Sequence, residues 1–249
     1  EIERPNNTRD QFEEARRWAR KNDVAVATEL IFGLPRETYD SWVKSLDGIV
    51  ELRVDSVFPT GLFLLEGARL NTKESREKYG FKTKFCIGAD GITQFDDIVG
   101  VECEEFVVET KWMKEEEFYK LNQLRLFVLW FIGYGFFKEI LYHCVTSGIT
   151  LSELFTEVVN NPSRYPVFYG LLDRFEKDTR ATFFETRENL DRSVAALIRE
   201  GRKVEVTRLA TVYVGRMIMS KSDVLRELKE VILALRGRET AESDPGFEQ

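Results

Sequence analysis

The chain has 249 residues, of which 43% are hydrophobic and 32% are charged, a composition typical of a globular protein with a sizeable core. Its net charge of -7 leaves no basic stripe that could neutralise a phosphate backbone, which argues against nucleic acid as a partner. The longest apolar run, at residues 126–137, is well short of the roughly 20 residues needed to cross a bilayer, which argues against a membrane partner.

The cysteines are few and widely spaced. Cys86, Cys103 and Cys144 lie too far apart in the sequence for a zinc or cluster loop, so we predict no metal site from the chain's own residues. His143 is the single histidine, and it points about 100° away from Cys144 on a helix, which makes the two a poor joint site. A small, odd number of cysteines is typical of a reducing compartment, and we expect a cytoplasmic protein.

The first 65 residues have the pattern of a βα repeat. Thr8-x-x-Gln11 is a capping box, which predicts a helix running to about residue 21. An apolar strand is predicted at 24–32, a helix capped by Thr38 follows to about 52, and a second strand is predicted at 56–65. Strands joined in this way are parallel with right-handed connections, and two strands alone cannot close a barrel.

The later sequence changes from mixed to helical character. Residues 66–112 combine a charged stretch, 73–84, with short strands or extended loops. Thr150-x-x-Glu153 is a second capping box, which starts a helix that ends near 161. The other helices are predicted at 115–145 (one or two helices), 166–177, 179–199 and 222–236, whereas 202–216 fits either a strand or a helix.

Three consecutive segments carry a family resemblance. Residues 29–38 read Glu-Leu-Ile-Phe-Gly-Leu-Pro-Arg-Glu-Thr, a strand, a tight turn and a helix start. Residues 56–62 read Ser-Val-Phe-Pro-Thr-Gly-Leu, with Leu-Glu-Gly-Ala-Arg-Leu at 65–70, and the charged segment Arg-Glu-Lys-Tyr-Gly-Phe follows at 76–81. In their order and spacing, these segments resemble the end of the barrel in radical S-adenosylmethionine enzymes of the cobalamin-binding branch.

The resemblance implies an α/β fold in which the last βα units of a partial TIM-like barrel precede a mostly α-helical domain. Residues 1–85 would be the last part of the barrel, 86–113 a mixed connector, 114–238 the helical C-terminal domain and 239–249 a disordered tail. The N-terminal half of the barrel would lie upstream of Glu1 and would be a partner of this segment.

The resemblance also implies the chemistry of the intact enzyme. The family cleaves S-adenosylmethionine reductively at a 4Fe-4S cluster held by a CxxxCxxC motif, and the cobalamin-binding branch includes methyl transfer to a small-molecule substrate. This chain contains no CxxxCxxC, so the cluster and any cobalamin would need sequence outside it. We therefore expect the chain alone to be inactive, and its sequence identifies neither a catalytic residue nor a substrate.

Candidate cofactor-binding residues lie on the two predicted strands. Because strand side chains alternate, Glu29, Ile31 and Gly33 share one side of the first strand. By resemblance, Ile31 would offer an apolar surface to the adenine ring, Gly33 would let the ligand approach the backbone, and Phe58 and Gly61 would lie beside the same ligand. Glu29 replaces a family glycine and would narrow the pocket or contact the substrate. The alternative to cofactor binding is that Ile31, Gly33 and Phe58 only pack in the core of the strands. For Glu29 the alternative is a structural role in which its carboxylate is solvated or forms a salt bridge.

Two positions depart from the family pattern. Arg36 and Arg53 stand where the family commonly has glycine. If these positions need a positive φ, an arginine costs roughly 1 kcal/mol or more at each. Glu37 is interpreted as a partner of the helix macrodipole rather than as an acid or base.

A different class of function stays open. The helix at 126–137 is rich in aromatic residues, which form either core or a surface that docks on another chain. In the second case the chain would be a non-catalytic interaction module, or a homo-oligomer, that uses this helix. An unrelated barrel enzyme with a Gly-Leu-Pro turn is a third option, but it would need an acid–base set that the sequence does not offer.

Overall fold

The computed structural model describes residues 8–95, 98–200 and 209–242, and within these ranges the protein is a mostly helical α/β structure. In this part of the chain the strands form one parallel pair and one antiparallel hairpin. None of the helices in these ranges is long and apolar enough to cross a membrane.

The first elements form the predicted helix–strand–helix–strand unit. They are α1 (Arg9–Lys21), β1 (Ala27–Phe32), α2 (Tyr39–Glu51) and β2 (Ser56–Gly61). β1 and β2 are parallel neighbours, as expected for two strands joined through a helix. The predicted parallel βα unit is therefore confirmed.

Side-chain caps fix where α1 and α2 begin. At α1, the backbone N–H of Gln11 donates to Thr8 Oγ1, and the backbone N–H of Thr8 donates to Gln11 Oε1. Thr38 and Ser41 exchange the same pair of hydrogen bonds at α2. These bonds satisfy N–H groups that have no partner within a helix, and they confirm both predicted helix starts.

β2 ends at Gly61 rather than at residue 65 because the chain then pairs with another strand. The backbone N–H of Val107 donates to Leu62 O at 2.9 Å, and the backbone N–H of Leu64 donates to Glu105 O at 2.8 Å. This pairing joins the βα unit to the hairpin that follows.

The hairpin occupies most of the segment that was expected to be a mixed connector. A short helix, α3 (Lys73–Tyr79), ends at Gly80, whose φ is +64°. Two long antiparallel strands follow, β3 (Lys82–Phe95) and β4 (Ile98–Glu109), with a register shift between Ile87 and Ile92. Backbone hydrogen bonds between the two strands hold the hairpin together. The glycine-containing sequence has no clear side-chain alternation that would predict these strands.

The rest of the described chain is helical. A π-helical turn, Leu129–Gly133, continues the first of these helices, which explains why one or two helices fitted residues 115–145. The helices are α4 (Glu115–Val128), α5 (Lys138–Thr146), α6 (Leu151–Asn160), α7 (Pro166–Thr182), α8 (Arg187–Arg199), α9 (Leu209–Met219) and α10 (Lys221–Glu242). Thr150 and Glu153 form the predicted capping box of α6.

Two expectations fall partly outside the described residues. The segment at 202–216 is helical from residue 209 onwards, whereas 201–208 lie outside the described ranges. The expected tail from 239 is helical as far as Glu242, and 243–249 lie outside the described ranges.

One hydrophobic core joins the βα unit to the helices. The ring of Phe127 on α4 stacks on those of Phe131 (4.6 Å between centroids) and Phe168 on α7 (5.2 Å). Phe32 on β1 belongs to the same core and meets Trp42 of α2 edge-to-face. The domain boundary predicted near 114 stays a prediction, and no break in the described core marks it.

Polar contacts tie the helices to one another at their N-termini. Asp47 of α2 accepts hydrogen bonds from the backbone N–H and the hydroxyl of Ser152 in the first turn of α6. The buried Glu227 of α10 accepts from the backbone N–H groups of Val167 (3.1 Å) and Phe168 (2.8 Å) at the start of α7. Each carboxylate satisfies unpaired N–H groups and favours the positive end of the helix dipole.

Arg36 and Arg53 both have a left-handed backbone. Their φ angles are +68° and +52°, in the region that glycine adopts without steric cost. Both positions therefore have the positive φ at which the sequence analysis expected a cost for arginine, so the backbone of each arginine is strained.

Candidate functional site

The β1–β2 sheet has one covered face and one exposed face. Phe32 and Val57 point to the covered face and are completely buried against the helices. Glu29, Ile31 and Phe58 lie on the opposite face, where Ile31 is 40% exposed and Phe58 is 38% exposed. The predicted alternation is confirmed for Glu29 and Ile31, whereas β1 ends at Phe32 and Gly33 is buried rather than on the open face. Two large apolar side chains, Ile31 and Phe58, stand together on that face.

Gly33 shapes the turn after β1. Its φ is +90°, and its backbone N–H donates to Glu37 Oε2 at 2.9 Å. A Cβ at this position would contact Met113 Cε at 3.4 Å, so the glycine is covered by the chain itself. Burial raises the pKa of Glu37 to about 7, although hydrogen bonds from Gly33 and Leu34 favour the charged carboxylate. Glu37 therefore closes the turn rather than acting only on the α2 dipole.

A cavity of about 700 Å³ lies between β2, the β3–β4 hairpin, α4, α7 and the first turn of α9. Three of the five candidate residues, Glu29, Phe58 and Gly61, line it. Ile31 lies on the open sheet face outside the lining, and Gly33 lies beneath Met113. The structure thus brings three candidates to one cavity and leaves two apart from it.

Arg125 on α4 is a cavity residue that the sequence pattern did not predict. Its Nε donates to Pro59 O at 2.9 Å, and within the described ranges it makes no ion pair. Burial lowers the pKa of Arg125, while the nearby Tyr134 and Glu104 oppose that shift. The signal in the sequence was an arginine between two leucines, directly before the apolar run at 126–137, where a charge is unusual unless it has a partner or a ligand.

Two further polar side chains face the cavity. Thr179 on α7 is 8% exposed, and its hydroxyl oxygen is buried without a hydrogen-bond partner in the described part of the chain. Asn122 on α4 is also buried, and its Nδ2 donates to Phe118 O at 3.1 Å. Aromatic rings supply much of the remaining wall, including those of Phe106 and Phe183, which meet edge-to-face.

The cysteines do not form a joint site. Cys86 lines the cavity, and burial raises the pKa of its thiol to about 12, so it is a thiol rather than a thiolate at neutral pH. Cys86 lies opposite Glu104 in the hairpin, and Cys103 lies opposite Ile87, which places the two cysteines on different faces. Across the described ranges, no group of three or more His, Cys, Asp or Glu side chains could hold a metal ion.

The aromatic helix is mostly core. Four of its aromatic residues are buried and therefore belong to the core rather than to a docking surface: Phe127, Trp130, Phe131 and Phe137. The exposed rings around its end belong to Tyr134 and Phe136. His143 is exposed and its Nε2 lies 2.9 Å from Arg236 Nη2, whereas Cys144 is buried in the core.

Comparisons with known proteins add no assignment. No protein-family model matches the chain, and no curated protein sequence matches it.

Proposed function

We propose that this chain is part of a radical S-adenosylmethionine enzyme, in which β1 and β2 belong to a partial TIM-like barrel and the helices cover its end. The observation that supports the proposal is the two-faced parallel sheet. α2 and α4 pack on one face, while Glu29, Ile31 and Phe58 stand on the other. A barrel strand has this arrangement, with helices outside and ligand-facing side chains inside.

The edges of the sheet fit the same proposal. β1 pairs only with β2 within the described residues, which leaves its second edge open for another strand. A parallel pair this small rarely stands alone, since parallel sheets are normally covered on both faces. The other strands of the barrel would cover Ile31 and Phe58.

The residues differ in how well they fit a bound cofactor. Ile31 and Phe58 offer an apolar surface on which the adenine of S-adenosylmethionine could lie, and Glu29, the cross-strand partner of Phe58, lines the cavity with it. Gly61 also lines the cavity, but the rings of Phe106 and Phe118 already lie against it. Gly33 fits less well as a point of close approach, because Met113 already covers it. When bound with its cluster, S-adenosylmethionine supplies the oxidising radical for hydrogen abstraction in this family.

The described residues do not fit a 4Fe-4S cluster. Cys86 and Cys103 point to opposite faces of the hairpin, and Cys144 is buried in the core. No step through the cluster or through cobalamin is therefore assigned to this chain. Its own part is to supply an apolar wall and to exclude water from a small-molecule substrate, in an enzyme that we place in the cytoplasm.

Formation of 5′-deoxyadenosine tests the proposal. With a low-potential reductant and S-adenosylmethionine, the purified chain should form none, whereas the protein that includes its upstream coding region should form it. In that longer protein, Ile31→Asp and Phe58→Asp should reduce product formation, and Leu233→Asp, an exposed position on α10, should not. Product from this chain alone, or equal loss in all three variants, would count against the assignment.

The interaction-module alternative now depends on a smaller surface. The rings of Tyr134 and Phe136 are 6.3 Å apart and are 48% and 37% exposed, and they form the part of the aromatic run that could meet a partner or a second copy. Self-association measured by light scattering that disappears in a Tyr134→Asp, Phe136→Asp double variant would favour this function. A strictly monomeric chain at high concentration would count against it.

A further inference from the structure

The cavity contains a cation, Arg125, that makes no ion pair among the described residues. Arg125 Nε is held by Pro59 O, but its other guanidinium nitrogens have no partner in the described ranges. Glu104 and Glu29 also line the cavity, and the charge of Glu104 acts on Arg125, but no ion pair joins Arg125 to either carboxylate in the described ranges. Arginine stays charged at any physiological pH, so a part-buried guanidinium in this setting favours an anion beside it.

The surfaces around Arg125 belong to two helix faces. Phe118, Asn122 and Arg125 follow one another at helical spacing along α4, so they share the face that borders the cavity. Phe175 and Thr179 do the same on α7. The anchor for a ligand is therefore built on two packed helices rather than on loops, which keeps its geometry fixed.

Thr179 is an independent sign of a ligand. Its side chain is more than nine-tenths buried, yet its hydroxyl oxygen has no hydrogen-bond partner in the described chain. Buried hydroxyl groups are nearly always paired, because an unpaired one forfeits its bonds to water. A ligand atom in the cavity would restore that bond.

We propose that this cavity binds a small aromatic or apolar molecule that carries a carboxylate or phosphate group, with the anionic group on Arg125 and a second polar atom on Thr179. The volume of about 700 Å³ lies in the usual range for a small-molecule site, roughly 300–1,000 Å³. The guanidinium suits both oxyanions, and the rings of Phe106, Phe118 and Phe183 suit a flat apolar body. This is the cavity that Glu29, Phe58 and Gly61 also line, but the inference needs no radical chemistry, and its test uses the chain without the upstream sequence.

Three probes of the same shape test the anion requirement on the unmodified chain. Binding of 2-naphthoate, 2-naphthyl phosphate and the neutral 2-naphthalenemethanol would be measured by isothermal titration calorimetry. At least one of the anions should bind about tenfold or more tightly than the neutral alcohol, and the stronger anion identifies the class of oxyanion. Equal binding of the neutral probe, or no binding of either anion at millimolar concentration, would overturn the proposal.

Variants then locate the site. Arg125→Gln should bring the affinity for the anion down to that for the alcohol, while Arg125→Lys should retain part of the preference because it keeps the charge. Thr179→Val should weaken binding a few-fold, and Arg174→Gln, an exposed position on α7, should leave it unchanged. Circular dichroism shows which variants are folded. If Arg125→Gln does not fold, the comparison of the three probes on the unmodified chain still decides the question. A folded Arg125→Gln variant that keeps the preference for the anion would also overturn the proposal.

Discussion

Replacing Arg36 and Arg53 by glycine and by alanine measures the strain in the two left-handed turns. An L-residue at the observed φ angles of +68° and +52° costs about 1–2 kcal/mol, and the greater chain entropy of unfolded glycine offsets about 0.5–1 kcal/mol of this. At each position the glycine variant should therefore be more stable than the alanine variant by about 0.5–1 kcal/mol.

The comparison of glycine with alanine isolates the backbone. Arg53 Nη2 donates to Thr146 Oγ1 at 2.6 Å, and its guanidinium lies 5.5 Å from the ring centroid of Tyr142. Both substitutions remove these contacts equally, so their difference does not include them. At Lys44, an exposed position within α2, the order should reverse, with glycine less stable than alanine by about 1 kcal/mol.

Urea unfolding followed by far-ultraviolet circular dichroism at 25 °C provides the free energies. If glycine is less stable than alanine at positions 36 and 53 as it is at 44, the left-handed turns carry no strain and the reasoning is refuted. If the order reverses between the turns and the helix, the backbone accounts for the effect.

Three further predictions concern stability. Burial raises the pKa of Glu37 to about 7, above its ordinary 4.5. The protonated carboxyl therefore contributes its full stabilisation below about pH 4.5, and this contribution is lost as the pH rises through 7. In urea titrations, Glu37→Gln should remove roughly 1–2 kcal/mol of that pH dependence. Glu227→Ala should lower the free energy of unfolding by about 2–3 kcal/mol, because it removes the carboxylate that caps the N-terminus of α7. Glu230→Ala, at an exposed position of α10, should change it little, and equal effects of the two variants would disprove the cap. Phe127→Ala should cost about 3–5 kcal/mol and Phe136→Ala under about 1 kcal/mol by the same assay, and similar costs would contradict the assignment of the aromatic run to the core.

Local signals in the sequence were sufficient for the βα unit and most helix starts. Thr8, Thr38 and Thr150 each carry a cap that depends only on residues three positions away, and all three helices begin where these caps place them. The alternation in β1 likewise predicted which side chains share a face.

Contacts between distant segments were beyond the sequence pattern. The β3–β4 hairpin depends on backbone pairing across a glycine-dotted stretch, so side-chain periodicity gives little sign of it. The cavity depends on residues from β2, α4 and α7 meeting in space, and no spacing in the sequence connects Arg125 with Thr179. Gly33 was expected beside a ligand, but a side chain from far along the chain, Met113, covers it.

The coding sequence upstream of Glu1 tests the central claim most directly. A complete (β/α)8 barrel takes about 250 residues, so the account predicts an in-frame CxxxCxxC motif within roughly 200 residues before Glu1. Finding it would supply the cluster ligands that Cys86, Cys103 and Cys144 do not provide. A start codon immediately before Glu1 would contradict the account and would favour an interaction module.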